Sequence, residues 1–193
     1  MFKKLMAGVL LASLAITAIA PVASAAEGKG QIKSNKNAVE RVVGFSANNN
    51  DRLDTLIAAV TCEAFDGEVV DLLANSEGIT IFAPTNYAFR KLGRALGIKD
   101  GLTPDNVCTV GTETLGTILT YHVFDGGKVW YKQAKALRGN NVPMLSGELA
   151  RISGQKDRVR IDGAKVVVKN IRSSNALIHV IDEVMVPPSI ENA

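Results

Sequence analysis

The spacing of apolar residues changes character at His122, and that change limits the folds open to this chain. Before it, apolar residues recur at helical intervals. Leu53, Leu56, Ile57 and Val60 fall at i, i+3, i+4 and i+7, one face of a helix. Residues 37–43 form a short helix candidate, and Asn48-Asn49-Asn50-Asp51 predicts a loop and N-cap ahead of Leu53. Residues 67–75 read as another short helix, stopped by Gly78, and residues 79–83 as a buried strand. Pro84-Thr85-Asn86 turns the chain into a helix with Phe89 and Leu92 inward. Thr103-Pro104 opens one more helix, since proline suits a first turn, and Leu115, Ile118 and Leu119 mark another.

Beyond His122 the segments shorten. Gly126-Gly127 is a turn, and Asn140-Asn141 and Ser146-Gly147 punctuate short strands. Residues 158–161 and 164–168 flank Asp162-Gly163, a hairpin signal. Residues 176–181 predict a last strand before Val186-Pro187-Pro188. Helices grouped first and strands grouped later predict an α+β fold.

The chain opens on an export signal. Lys3 and Lys4 precede an uncharged stretch at 5–20, Pro21 breaks it, and Ala23-Ser24-Ala25 offers the small residues a signal peptidase accepts. Cleavage after Ala25 is expected, with Ala26 as the alternative site. The apolar stretch is shorter than the roughly 20 residues that span a bilayer, so the cleaved chain is not expected to cross a membrane. The expected location is secreted or periplasmic. Residues 26–36 read as a polar leader, 37–188 as one domain and 189–193 as a short tail, too short for a stalk or a second domain.

Cutting 25 residues from 193 leaves 168, enough for a single core. It also removes Lys3 and Lys4, so 20 Lys+Arg face 19 Asp+Glu, a net charge of +1. No clustered basic stretch suggests a nucleic-acid partner. Cys62 and Cys108, the two cysteines, read as a disulfide in an oxidising compartment. It would close a loop of about 46 residues, worth about 4 kcal/mol in the chain-entropy account. Two buried thiols, or a redox or metal site, are the rival readings. No Cys-x-x-Cys is present, and two cysteines with two distant histidines make a poor zinc set. No Gly-x-Ser-x-Gly elbow and no phosphate loop are present, so no catalytic residue, cofactor or metal is assigned.

Three segments resemble the diagnostic blocks of the fasciclin (FAS1) domain family. Thr80-Ile81-Phe82-Ala83-Pro84-Thr85-Asn86-Tyr87-Ala88-Phe89 resembles the first block, Leu119-Thr120-Tyr121-His122-Val123 the central Tyr-His segment, and residues 175–187 the second block, which carries Ile178-His179-Val180-Ile181-Asp182. They stand in the family's order. The resemblance implies a compact, wedge-like β-sandwich flanked by several short helices. It also implies a non-enzymatic role in cell-surface or extracellular-matrix adhesion, with a protein or polysaccharide partner. Ala176 departs from the family's usual glycine.

Thr85, Asn86, Tyr87, Tyr121, His122 and His179 are the candidate partner-binding residues. Each also has a structural reading: Thr85 and Asn86 as caps of the following helix, His122 as a core histidine bonded to backbone, and His179 as a strand residue bonded to a neighbour such as Asp182. The family links the Tyr-His pair to receptor recognition, which falls here on Tyr121 and His122. Trp130, Tyr131 and Tyr87 are the candidate aromatics for a sugar, with core packing the equal rival reading for each. The competing function is carriage or sensing of a small apolar ligand held between helices and sandwich.

Overall fold

A computed structural model describes residues 35–50 and 52–191. The expected export signal, most of the expected leader and Asp51 lie outside the described residues. The first half of the domain contains α1 (Ala38–Ala47), α2 (Asp54–Val60), α3 (Glu68–Asn75), β1 (Ile79–Pro84), α4 (Asn86–Ala95) and α5 (Thr112–Tyr121). The second contains β2 (Val123–Phe124), α6 (Tyr131–Ala136), β3 (Asn141–Pro143), β4 (Leu149–Ser153), β5 (Arg160–Ile161), β6 (Ala164–Arg172), β7 (Ala176–Ile181) and α7 (Pro188–Glu191). The architecture is α+β.

β1 and β7 organise both halves. They pair in parallel from Ile79↔Ala176 to Pro84↔Ile181, and every residue of both is buried. A parallel pair covered on both faces needs near-continuous apolar sequence, and both strands supply it. The pleat then sends neighbours to opposite sides. Ile79, Ile81, Ala83, Ile178 and Val180 join Leu53, Leu56, Phe65, Phe89 and Leu115 in a core beneath the helices. Phe82 and Ile181 join Tyr121, Val142, Ile152, Ile161 and Met185 in a second core.

The seven strands run in the order β2-β1-β7-β6-β5-β4-β3. Residues from near both ends of this series, Phe82 and Val142, share the second core, so the sheet wraps around it. The Leu145 N–H donates to the Val123 carbonyl across the gap at 2.8 Å, but among the described residues no ladder closes a barrel. The Asp162-Gly163 hairpin forms as predicted between β5 and β6. Both residues have positive φ, +48° and +85°, as a two-residue turn of matching twist requires.

Three local expectations need correction. After Thr103-Pro104 the chain turns and forms only a 3₁₀ turn at Val107–Val110. The N-cap of α2 is Leu53, which has no capping side chain of its own. α6 interrupts the strand-rich half. Six residues are too few to show a helical period, and of the first donors one is met by Gln133 within the helix and the other by a residue distant in the chain. The Trp130 N–H donates to Gln133 Oε1 at 2.7 Å, and the Tyr131 N–H to Asn170 Oδ1 at 2.9 Å.

Candidate functional site

The turn at the end of β1 is tied down from several directions. The Thr85 N–H donates to the Ile181 carbonyl at 3.1 Å, and Thr85 Oγ1 accepts from Ala88 N–H at 3.2 Å, capping α4. Asn86 does not cap the helix it begins. Its N–H donates to the Arg52 carbonyl at 2.8 Å, and its Oδ1 accepts from Thr55 N–H at 2.9 Å. It therefore caps α2, 31 residues earlier, supplying what Leu53 lacks. Tyr87 follows on this fixed backbone with 59% of its surface exposed.

Tyr121 and His122 sit at the end of α5 and are buried. The Tyr121 hydroxyl lies 2.9 Å from Asp162 Oδ2 and 3.0 Å from the Leu149 carbonyl, joining α5 to the β5–β6 turn and to β4. Burial first, and Asp162 second, push its pKa up. His122 Nδ1 lies 2.7 Å from the Ile118 carbonyl, and Nε2 accepts from Met185 N–H at 3.0 Å. That pair of partners fixes the neutral Nδ1–H tautomer. Burial pulls the His122 pKa down to about 4, against the raising effect of the Ile118 carbonyl.

His179 has the same arrangement with its nitrogens exchanged. Nε2–H donates to the Val129 carbonyl at 2.9 Å, and Nδ1 accepts from Asn170 N–H at 3.2 Å. It stacks on Phe82 with ring centroids 5.9 Å apart. Burial again lowers its pKa, opposed by the Val129 carbonyl. Asp182 is not its neighbour in this network: Asp182 Oδ1 instead accepts from Lys165 N–H at 2.8 Å. Of the six candidate residues, Tyr87 alone is exposed, Asn86 is half-buried and the other four are buried.

Cys62 and Cys108 are bonded, joining the end of α2 to the 3₁₀ turn before α5. Among the described residues no group of three or more His, Cys, Asp or Glu side chains could hold a metal, and no helix is long and apolar enough to cross a membrane.

Two residues in the family-like blocks have roles that the sequence alone did not indicate. Asn175 Oδ1 accepts from Ala38 N–H at 2.9 Å at the start of α1. Its Nδ2 faces the Leu73 and Ser76 carbonyls, each at 2.8 Å, at the end of α3. Thr80 Oγ1 donates to the Gly127 carbonyl at 2.6 Å and accepts from Val129 N–H at 2.8 Å, fixing the loop before α6. Asparagine's paired donor and acceptor were the available signal, but its partners lie about 100 or more residues away.

A sheet of this order, flanked by helices whose ends are capped by residues of the first and second family-like blocks, defines a small α+β domain that presents a rigid turn. The chain belongs to the fasciclin family: the fasciclin domain profile matches residues 51–187. It is 34% identical over 142 residues to protein sll1483 of Synechocystis, covering 74% of this chain and 71% of that one. It is 34% identical over 148 residues to the immunogenic protein MPB70 of Mycobacterium bovis, covering 76% and 69%. The cell surface glycolipoprotein MPB83 of the same species is 34% identical over 149 residues, covering 76% and 61%. The solved FAS1 domain pair of the insect cell adhesion molecule fasciclin I superposes with a TM-score of 0.58 at 15% identity. It covers 81% of this chain and 52% of the pair, and shows the shared fold.

Proposed function

We propose that this protein is an extracytoplasmic adhesion module that binds a surface protein or polysaccharide through the turn bearing Tyr87. One observation carries the reading: a large aromatic, 59% exposed, stands on a backbone held by Thr85 and Asn86. A preorganised aromatic loses little freedom on binding, and such residues dominate interface energetics. The export signal and the cell-surface name of MPB83 agree with this location. Tyr121, His122 and His179 then contribute by holding the presenting scaffold.

Carriage of a small apolar ligand has less support. The apolar crevice between α1, α2, α3 and β1 has Val43 and Leu72 at its rim and holds about 70 Å³. Ligand pockets generally take about 300–1,000 Å³, so a carrier would have to open this seam.

The test is binding of the purified mature protein to intact producing cells, with thermally unfolded protein as control. Saturable binding by the folded form, lost in Tyr87→Ala at unchanged melting temperature, is the expected result. Equal binding by wild type and Tyr87→Ala would remove the turn from the reading. No binding by the wild type would remove adhesion itself.

A further inference from the structure

On another face, α1 and the end of β6 enclose a cleft of about 590 Å³, lined by Lys36, Arg41, Gly44, Asn170 and Arg172 among others. Its volume lies within the range that ligands occupy. Three of its four charged lining residues, Lys36, Arg41 and Arg172, are cations. Glu40 is the carboxylate on it, and this side chain is held by the Asn37 N–H at 2.8 Å within the α1 capping box.

The cations continue from the cleft onto the start of α6. The Arg172 guanidinium lies 4.8 Å from the centre of the Trp130 ring. The Lys169 ammonium lies 5.0 Å from the centre of the Tyr131 ring. Both distances are those of cation–π contacts, which hold a long side chain in one place. Lys135 also faces Tyr131 but is paired with Asp157. The Lys128 ammonium donates to the Ser174 carbonyl at 2.7 Å, and the Ser174 N–H donates to the Lys36 carbonyl, so this end of the strip adjoins the cleft.

Gly44 supplies an independent observation. It lies inside α1, where glycine is the poorest helix former after proline. Packing does not require it: a Cβ there would meet only the Lys36 ammonium, at 4.0 Å. What the missing side chain provides is room in the cleft.

We infer that this cleft and the adjoining Trp130–Arg172 and Tyr131–Lys169 pairs bind an acidic polysaccharide. The proposal rests on the adhesion reading but concerns a surface separate from Tyr87. Nucleic acid fits the strip less well. Duplex DNA carries a charge about every 1.7 Å of axis and calls for dense cations, whereas here the cations are spaced among amides and aromatic rings. That spacing suits a hydroxyl-rich chain with one anionic group per sugar. Arg172, fixed over Trp130, offers a planar fork to a carboxylate.

The experiment measures binding of the mature protein to sodium polygalacturonate, with neutral dextran and duplex DNA as comparison probes. Polygalacturonate should bind and dextran should not. Affinity should weaken as salt rises, as screening demands. Arg41→Gln combined with Arg172→Gln should lower affinity about tenfold or more, the order expected for loss of two charge-assisted contacts. The charge-matched pair Arg94→Gln with Lys99→Gln should leave it unchanged. Gly44→Leu should weaken binding to the same degree without lowering the melting temperature, because it fills the cleft and favours the helix. Equal loss from both charge pairs, intact binding in Gly44→Leu, or DNA binding as tight as polygalacturonate would each overturn the inference. Wild-type protein that binds cells but not polygalacturonate overturns this inference alone. Protein that binds neither overturns the adhesion reading as well.

Discussion

Tyr87 and Tyr121 both stand in blocks that mark the family, yet one is mostly exposed and the other is wholly buried. The difference lies in what surrounds each. At the β1–α4 turn, Thr85 and Asn86 take up the local hydrogen bonds and leave Tyr87 without a packing task. At the end of α5, Tyr121 and His122 are themselves the links, to β4, the β5–β6 turn and the segment at Met185. A family signature therefore mixes two kinds of residue. Some positions in it fix the scaffold, and others, such as Tyr87, stay at the surface.

The disulfide connects these two regions, since it joins α2, which Asn86 caps, to the turn that leads into α5. Its removal is expected to have the largest effect. Replacing both cysteines by alanine should lower unfolding free energy by about 4 kcal/mol, the chain-entropy value for a loop of this length. Urea titration measures it. A loss below about 1 kcal/mol would mean that the regions hold together without the link.

Acid should separate the regions next. His122 and His179 have folded-state pKa values below the ordinary 6.5 of the unfolded chain. Between those values the unfolded chain binds more protons. Their stabilising effect is thus complete above about pH 6.5 and is lost as pH falls through the folded-state values, about 4 for His122. A protonated His122 would aim a second donor at the Met185 N–H. A shift from 6.5 to about 4 corresponds to about 3 kcal/mol for His122. Denaturant titrations at pH 7 and pH 5 should show part of that loss, and His122→Gln should flatten the slope. Stability unchanged between those pH values would contradict the buried neutral tautomer.

The sequence was most legible where a signal is local and repetitive. The i, i+3, i+4, i+7 face of α2, the apolar run of β7 and the Asp162-Gly163 turn all appear where their spacing places them. It was least legible where a backbone group is met by a distant side chain. The sequence predicts Asn86 as a cap for its own helix because a side chain three or fewer residues away is the usual partner. Its partner is Thr55, brought close only by the packed fold. Asn175 bridges α1 and α3 in the same way. α6 was hidden because its second donor is met by Asn170, 39 residues away. The cationic cleft was equally hidden, since Lys36, Arg41 and Arg172 never form a run in the chain.

Two tyrosine substitutions give the smallest effects and the sharpest contrast. Tyr121→Phe keeps the ring in the second core and removes one hydroxyl, which serves Asp162 and the Leu149 carbonyl together. A net loss of about 1 kcal/mol is expected, because the hydroxyl goes together with the contact and Asp162 can turn to water. Cell binding by the folded variant should be unchanged. Tyr87→Ala should behave in the opposite way. Its ring is mostly in solvent, so stability should move by less than about 0.5 kcal/mol, as for surface substitutions generally, while cell binding falls. Measuring both properties in both variants decides the comparison. If Tyr121→Phe lost binding while still folded, the central segment would be a contact site despite its burial, reached through a movement of the β5–β6 turn that covers it.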